Sequence, residues 1–147
     1  HLSLRRQRQM CIRDRIGLEG VKMSKSLGNL VFVHKLVEAG EDPSAIRLGV
    51  FAGHYRDERD WSDEVLEEAK RRLAAWREAL AKPGSLAGAQ AVVAKLRAAI
   101  ANDLDTPSAL AAVDDWAEGD RGAEEEGAAD LVRTALNSLL GVQAWPR

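Results

Sequence analysis

A mainly α protein is what this sequence predicts: a short strand-and-loop segment near the start, then an antiparallel helix bundle. Three observations predict it. Apolar residues make up 46% of the 147 residues and are mostly alanine and leucine, while aromatics are only 5%, a balance that favours helices over sheet. Apolar positions recur at spacings of 3 and 4 along the second half. Each such stretch opens on a capping residue or closes on a glycine. The length fits one domain, or one small domain with a piece of another.

In chain order, Ile16 to Val21 alternates around Gly17 and Gly20, as a strand or hairpin edge does. It feeds the stretch Lys22-Met23-Ser24-Lys25-Ser26, followed by Leu27-Gly28-Asn29. Leu30 to Val33 is a brief strand-like apolar run, and His34 to Ala39 fits a short helix stopped by Gly40. Asp42-Pro43 starts a helix reaching about Gly53, the carboxylate capping free amides and proline fitting the first turn.

Asp60 to Glu64 opens a longer helix with Ser62 or Asp60 as cap and the stripe Leu66, Ala69, Leu73, Trp76, Leu80; Lys82-Pro83-Gly84 ends it. The next stripe is Leu86, Ala89, Val93, Leu96, Ile100. Thr106-Pro107 repeats the cap-plus-proline start, with Leu110, Val113 and Trp116 on one face. Gly119 to Gly127 is an acidic loop, and the last helix carries Leu131, Ala135, Leu136 and Leu139 before Gly141. These stripes need one another for burial, so residues 61–147 read as a bundle and 16–60 as a segment leading into it.

Charge is uneven. The net value of −2 divides into +4 for residues 1–15, which hold five arginines and Asp14, and −6 for the remainder. Arg5 to Asp14 back-translates as CGT CGG CAG CGT CAG ATG TGT ATA AGA GAC, a string resembling a transposase adapter used in sequencing libraries. The expectation is therefore a non-native, adapter-derived leader over 1–15, with native sequence from Ile16; the other reading is a basic arm that binds nucleic acid. A single cysteine, Cys11, falls in that leader, so neither an internal disulfide nor a metal-ligand spacing is on offer. No apolar run approaches the roughly 20 residues of a membrane span, and no secretory leader is recognisable. A cytoplasmic protein is expected, without membrane partners.

Two lysines and two serines on a glycine-punctuated loop suit a polyphosphate. Attack on the α-phosphorus of ATP expels pyrophosphate, and mobile ammonium groups stabilise the leaving charge chiefly in the transition state. Lys25 is the first candidate, supported by Lys22; Ser24 and Ser26 can donate hydrogen bonds, while Gly28 and Asn29 allow a sharp turn. By itself the pentapeptide is equally compatible with a solvated turn.

The neighbouring sequence adds to this. KMSKSLGN resembles the signature loop of class I aminoacyl-tRNA synthetases. DPSAIRLGVFAGHYR, WSDEVLEEA and NDLDTPSALAAV resemble the cysteinyl-tRNA synthetase group. Within that group IGLEGVKMSKS and NDLDTPSALAAVDDWA are most similar to the mycothiol-pathway cysteine ligases, and the resemblance covers about residues 16–142. It implies a remnant of a Rossmann-type catalytic domain carrying the loop. Implied too are ATP as co-substrate, with Lys22, Met23, Ser24, Lys25 and Ser26 at its phosphates, and a backbone contact from Ile16 to the aminoacyl-adenylate. L-cysteine and glucosaminyl-inositol would be the other substrates. The family's HIGH motif and its cysteine- and histidine-bound zinc have no matching residues here, so no metal ligand is assigned and the chain alone is expected to be inactive.

Two features bear on the acceptor. Residues 79–147 hold six Lys and Arg against ten Asp and Glu, whereas a surface that grips tRNA is basic. The chain also closes soon after LNSLLGV, where a tRNA synthetase would continue into an anticodon-reading module. An amino-sugar acceptor is favoured, nucleic acid is disfavoured, and a cysteinyl-tRNA synthetase fragment is the alternative. A non-catalytic helical interaction module is a third reading. His34 and His54 are read as structural, Trp61, Trp76 and Trp116 as core, and Trp145 as tail. Arg56 to Asp60 reads as a solvated loop, and Asp103 and Asp105 as helix-terminus caps rather than a metal pair.

Overall fold

The computed structural model describes residues 16–18, 21–23, 26–28, 30–82, 84–119, 122–123 and 125–145, with the backbone alone for 21 and 22. The leader with Cys11, together with Ser24, Lys25, Asn29 and Pro83, lies outside the described residues. The protein is mostly helical with one small sheet, as composition predicts. The hairpin expected at the start forms: β1 (Ile16–Leu18) pairs antiparallel with β2 (Val21–Lys22), Leu18 opposite Val21. On its other side β1 pairs in parallel with β3 (Arg59–Trp61), Leu18 opposite Trp61.

The strand β3 corrects the sequence reading. Asp60 and Trp61 belong to it rather than to the helix, and only Ser62 caps, its hydroxyl accepting from the Val65 amide at 3.3 Å. Alternation was invisible in so short and charged a run; partnership with β1 creates the strand. Leu30 to Val33 is corrected in the opposite sense. Residues 30–32 are irregular, and Val33 already starts α1 (Val33–Glu38), so an apolar run without a paired neighbour did not become strand. Gly40, at φ +92°, ends the α1 turn, and its left-handed geometry lets the Glu41 amide reach the Leu36 carbonyl at 3.0 Å.

Helix α2 (Pro43–Phe51) starts as read: Asp42 accepts from the Ser44 amide at 2.8 Å, ahead of proline. Helix α3 (Asp63–Ala81) buries all five residues of its expected stripe. Ser85 caps α4 (Leu86–Ala101), accepting from the Gly88 amide at 3.0 Å; Ala89, Val93 and Leu96 are buried, Ile100 is half-buried, and Leu86 is exposed. Helix α5 (Thr106–Glu118) is capped by Asp105, not Thr106, and the freed Thr106 hydroxyl lies 3.4 Å from the Gly53 carbonyl. Asp103 caps nothing; it sits in a left-handed turn described below.

Helix α6 (Ala128–Ala135) continues into a π-helical turn over Leu136–Leu140, closed by Gly141 at φ +64°. That turn rotates the buried face: Val132, Leu136 and Leu140 are inside, whereas Leu131 and Leu139 are half-buried.

Helix α4 packs against α5 and α6, and α3 against α2 and α5. One core joins Ala45, Ile46 and Leu48 of α2 and Trp61 of β3 to Leu66, Trp76, Leu96, Leu110, Val132 and Leu140. Trp76 is fully buried; its indole N–H donates to Asp114 Oδ1 at 2.7 Å, and Arg72 Nε donates to the same carboxylate at 2.9 Å. The tail folds back over α2: the Gln143 amide donates to Ser44 Oγ at 3.0 Å, Arg77 bridges Asp42 and the Gln143 carbonyl, and Val142 and Ala144 are buried. Trp61 and Trp76 are core as expected, Trp116 is half-buried, and Trp145 is exposed.

Asp114→Ala strands a buried indole donor and is expected to cost about 2–3 kcal/mol in urea unfolding, while Asp114→Asn, which keeps an acceptor, costs clearly less. The Ser108 hydroxyl and then its amide hold the Asp105 carboxyl below its ordinary value. Its stabilisation is therefore complete above the unfolded carboxylate value and is lost as pH falls through the lower folded value. Asp105→Ala should melt below wild type at pH 7, and the two melting curves should converge as pH drops beneath the carboxylate range.

Candidate functional site

The lysine-serine loop leaves the sheet at β2 and returns through Ser26 to Gly28, an exposed turn with Gly28 at φ +67°. Glycine is required there, because a side chain at that angle would strain the backbone. Of Lys22 only the backbone is described, in register with Gly17, and Ser24 and Lys25 fall outside the described residues. Ile16 and Met23 are both described, and the structure brings them together: each lines a cleft of about 570 Å³.

The floor of this cleft is apolar, with Phe51, Ile100 and Leu140 among its lining, and its rim is polar, with His54, Tyr55, Asp57, Arg59 and Thr106. Helix α2 supplies one wall, the α4–α5 connection another, and the π turn a third. This composition suits an organic ligand or an apolar side chain oriented by a few polar groups.

Arg59 departs from the solvated loop expected for residues 56–60. It is half-buried, its Nη1 donates to the Gly49 carbonyl at 3.1 Å, and burial holds its guanidinium below the ordinary value. Arg56 moves the other way, raised by its bond to the Tyr55 hydroxyl and then by the charge of Asp103. His54 is held at both ring nitrogens by backbone groups. Its Nε2 lies 3.0 Å from the Asp103 carbonyl, and its Nδ1 accepts from the Arg56 amide at 3.3 Å. A carbonyl can only accept and an amide N–H only donate, so these partners fix the neutral Nε2–H tautomer. His34 sits against Phe32, ring centroids 5.4 Å apart.

Residues 8–71 match the family model described as the tRNA synthetases class I (C) catalytic domain. The L-cysteine:1D-myo-inositol 2-amino-2-deoxy-alpha-D-glucopyranoside ligase of Corynebacterium aurimucosum is 65% identical over 130 residues, 87% of this chain and 31% of the ligase. Those of Saccharomonospora viridis and Streptomyces avermitilis are 56% and 54% identical over 134 and 129 residues, each match covering 86% of this chain. This chain is homologous to those ligases. It spans about a third of the length of the curated relatives it matches.

The sequence reading named the loop and Ile16 as site residues but not Tyr55, Arg59, Leu104 and Thr106, which line the same cleft as Ile16. No spacing rule joins Tyr55 to Asp103, 48 residues apart; the stretches GHYR and NDLD were the only signal. Among the described residues no group of three or more His, Cys, Asp or Glu is placed to hold a metal ion, and no helix is long and apolar enough to cross a membrane.

The strand under the loop depends on Gly49, where an added Cβ would lie 3.1 Å from the buried Trp61 ring. On an open helix face Gly→Ala stabilises by about 1 kcal/mol. At this position Gly49→Ala is expected to destabilise by about 1–3 kcal/mol, with a shift in Trp fluorescence as β3 is displaced; chemical unfolding followed by tryptophan emission measures both.

Proposed function

We propose that this chain is the C-terminal part of an ATP-dependent ligase that activates L-cysteine as cysteinyl-AMP and joins it to the amine of glucosaminyl-inositol. The observation that carries the reading is the 51–65% identity to ligases of that name across 86–89% of the chain. KMSKS lies within the matched class I segment. On this reading residues 16–60 are the loop and connecting segment of a Rossmann-type catalytic domain and 61–147 an antiparallel C-terminal bundle. A cytoplasmic setting accords with it.

The chemistry has two steps. A cysteine carboxylate oxygen attacks the α-phosphorus of ATP, and the bond to the β-phosphate bridging oxygen breaks to release pyrophosphate. The amine nitrogen of glucosaminyl-inositol then attacks the carbonyl carbon; the carbon–oxygen bond to AMP breaks, the nitrogen loses a proton, and an amide results. The ammonium groups of Lys22 and Lys25 act in the first step, gaining interaction as negative charge moves onto the departing pyrophosphate. Ser24 and Ser26 hydroxyls donate to phosphate oxygens, Met23 anchors the loop beside the cleft, and the Ile16 backbone meets the adenylate. Zinc, which would grip the substrate thiolate through soft ligands, has no fitting ligand group among the described residues, so no step of this chain is routed through it. The net charge of −4 over residues 79–147 favours an amino-sugar over tRNA as acceptor.

The test uses cysteine-dependent pyrophosphate exchange. The 147-residue chain alone should show none. In the intact parent, Lys25→Ala should lower the exchange kcat at least about a hundredfold with a much smaller change in the KM for ATP. Equal losses in both parameters, or turnover with cysteinyl-tRNA but not cysteinyl-glucosaminyl-inositol as product, overturn the assignment.

A further inference from the structure

Asp103 and Leu104 are consecutive non-glycine residues with φ of +54° and +55°. Side-chain-bearing residues rarely enter this region, and leucine has no short polar group to compensate there. A connection that merely joined α4 to α5 would be served by glycine or asparagine.

Locally the turn is closed by backbone bonds, the Leu104 amide donating to the Ile100 carbonyl at 3.2 Å and the Asp105 amide to the Ala99 carbonyl at 3.1 Å, and three consecutive residues far away in the chain brace it from outside. His54 Nε2–H donates to the Asp103 carbonyl at 3.0 Å, the Tyr55 hydroxyl donates to Asp103 Oδ1 at 2.8 Å, and Arg56 Nη2 donates to the same oxygen at 3.1 Å. Arg56 Nε donates in addition to the Tyr55 oxygen at 2.9 Å, tying the two donors together. Core packing does not impose this geometry, since the Asp103 side chain is 46% exposed and Leu104 53%. The network braces the turn, and the turn places Leu104 on the wall of the cleft that Ile16 and Met23 also line. Met23 is two residues before Lys25. Leu104 and Met23 therefore line one cavity.

We infer that the Asp103–Leu104 turn, locked by His54, Tyr55 and Arg56, is a positioning element that fixes the cleft wall beside Met23 and thereby the approach of the lysine-serine loop to its nucleotide. This rests on the ligase reading for its catalytic consequence, though not for its mechanics. None of the four polar residues is placed on a reacting atom; they act through the loop. The external network offsets part of the cost of two consecutive left-handed residues, so losing the Asp103 bonds loosens Leu104 on the cleft wall.

Two measurements test it, one independent of activity. Hydrogen exchange on the full chain compares residues 21–28 with α4 as internal reference in wild type, Asp103→Ala, Asp103→Asn and Tyr55→Phe. Asp103→Ala should speed exchange in 21–28 about fivefold or more while α4 is unchanged. Asp103→Asn, which keeps an acceptor and tolerates the left-handed region, should stay near wild type, and Tyr55→Phe should fall between. Unchanged exchange in 21–28, or equal acceleration in α4, overturns the inference; Tyr55→Phe carries the comparison if Asp103→Ala fails to fold. In the intact parent, Asp103→Ala should lower the pyrophosphate-exchange kcat about tenfold with the KM for cysteine within about twofold, and Asp103→Asn should restore most of it. Wild-type kcat in Asp103→Ala, or equal loss in Asp103→Asn, overturns it. If the intact wild-type parent lacks cysteine-dependent exchange, the ligase reading fails, while the exchange of residues 21–28 still decides the positioning role.

Discussion

The parallel pairing of β1 with β3 is the constraint on which the rest depends. It is three residues long, Ile16 to Leu18 beside Arg59 to Trp61, and a sheet so small has little stability of its own. Its anchor is Trp61, whose buried ring lies against Gly49 of α2 and brings β3 onto the helical core. A parallel pair needs a long crossover, and that crossover contains β2, the lysine-serine loop, α1 and α2. The loop is thus an excursion from a strand whose position is set by a tryptophan at the far end of the connection.

Polar groups divide the work differently. Around Trp76, the carboxylate of Asp114 satisfies an indole and a guanidinium at once, so a polar atom at the edge of the core costs little and fixes how α3 lies on α5. At the other end Arg77 and Ser44 hold the tail over α2 through Asp42 and Gln143. Both networks link elements that the apolar stripes alone would leave free to slide. A third polar group, the one gathered on Asp103, differs in being exposed and in holding backbone out of its preferred region. The first two networks lie at the edge of the core; the third braces a turn that lines the cleft.

Chemically, the proposed reaction asks little covalent work of this part of the enzyme. It asks that two cations be absent from the ground state and present as pyrophosphate departs. Ile16 and Met23, which line the cleft, seat the chain on either side of β2. The helices behind the cleft supply its other walls, and on the proposed reading an acidic second half suits a small neutral-to-basic acceptor better than a polyanion.

Much of this was legible in the sequence because it is local. The caps at Asp42, Ser62 and Asp105, the stripe from Leu66 to Leu80 and the glycine stops follow from spacing and from the chemistry of helix ends. The motif at residues 22–26 stood out as a polyphosphate candidate because few residue types suit one. What the sequence could not contain is partnership at a distance. Asp60-Trp61 is strand only because β1 lies beside it, and Leu30 to Val33 is not strand because nothing does. The Thr106 hydroxyl, read as a cap, turns instead toward the Gly53 carbonyl. Asp103, read as a cap, becomes the centre of a clamp formed by residues 54–56. Short-range periodicity and hydrogen bonds to near neighbours are fixed by the order of residues alone; strand pairing, the left-handed turn and the cleft required the packed helices, because their energies arise between residues separated by roughly forty to fifty positions.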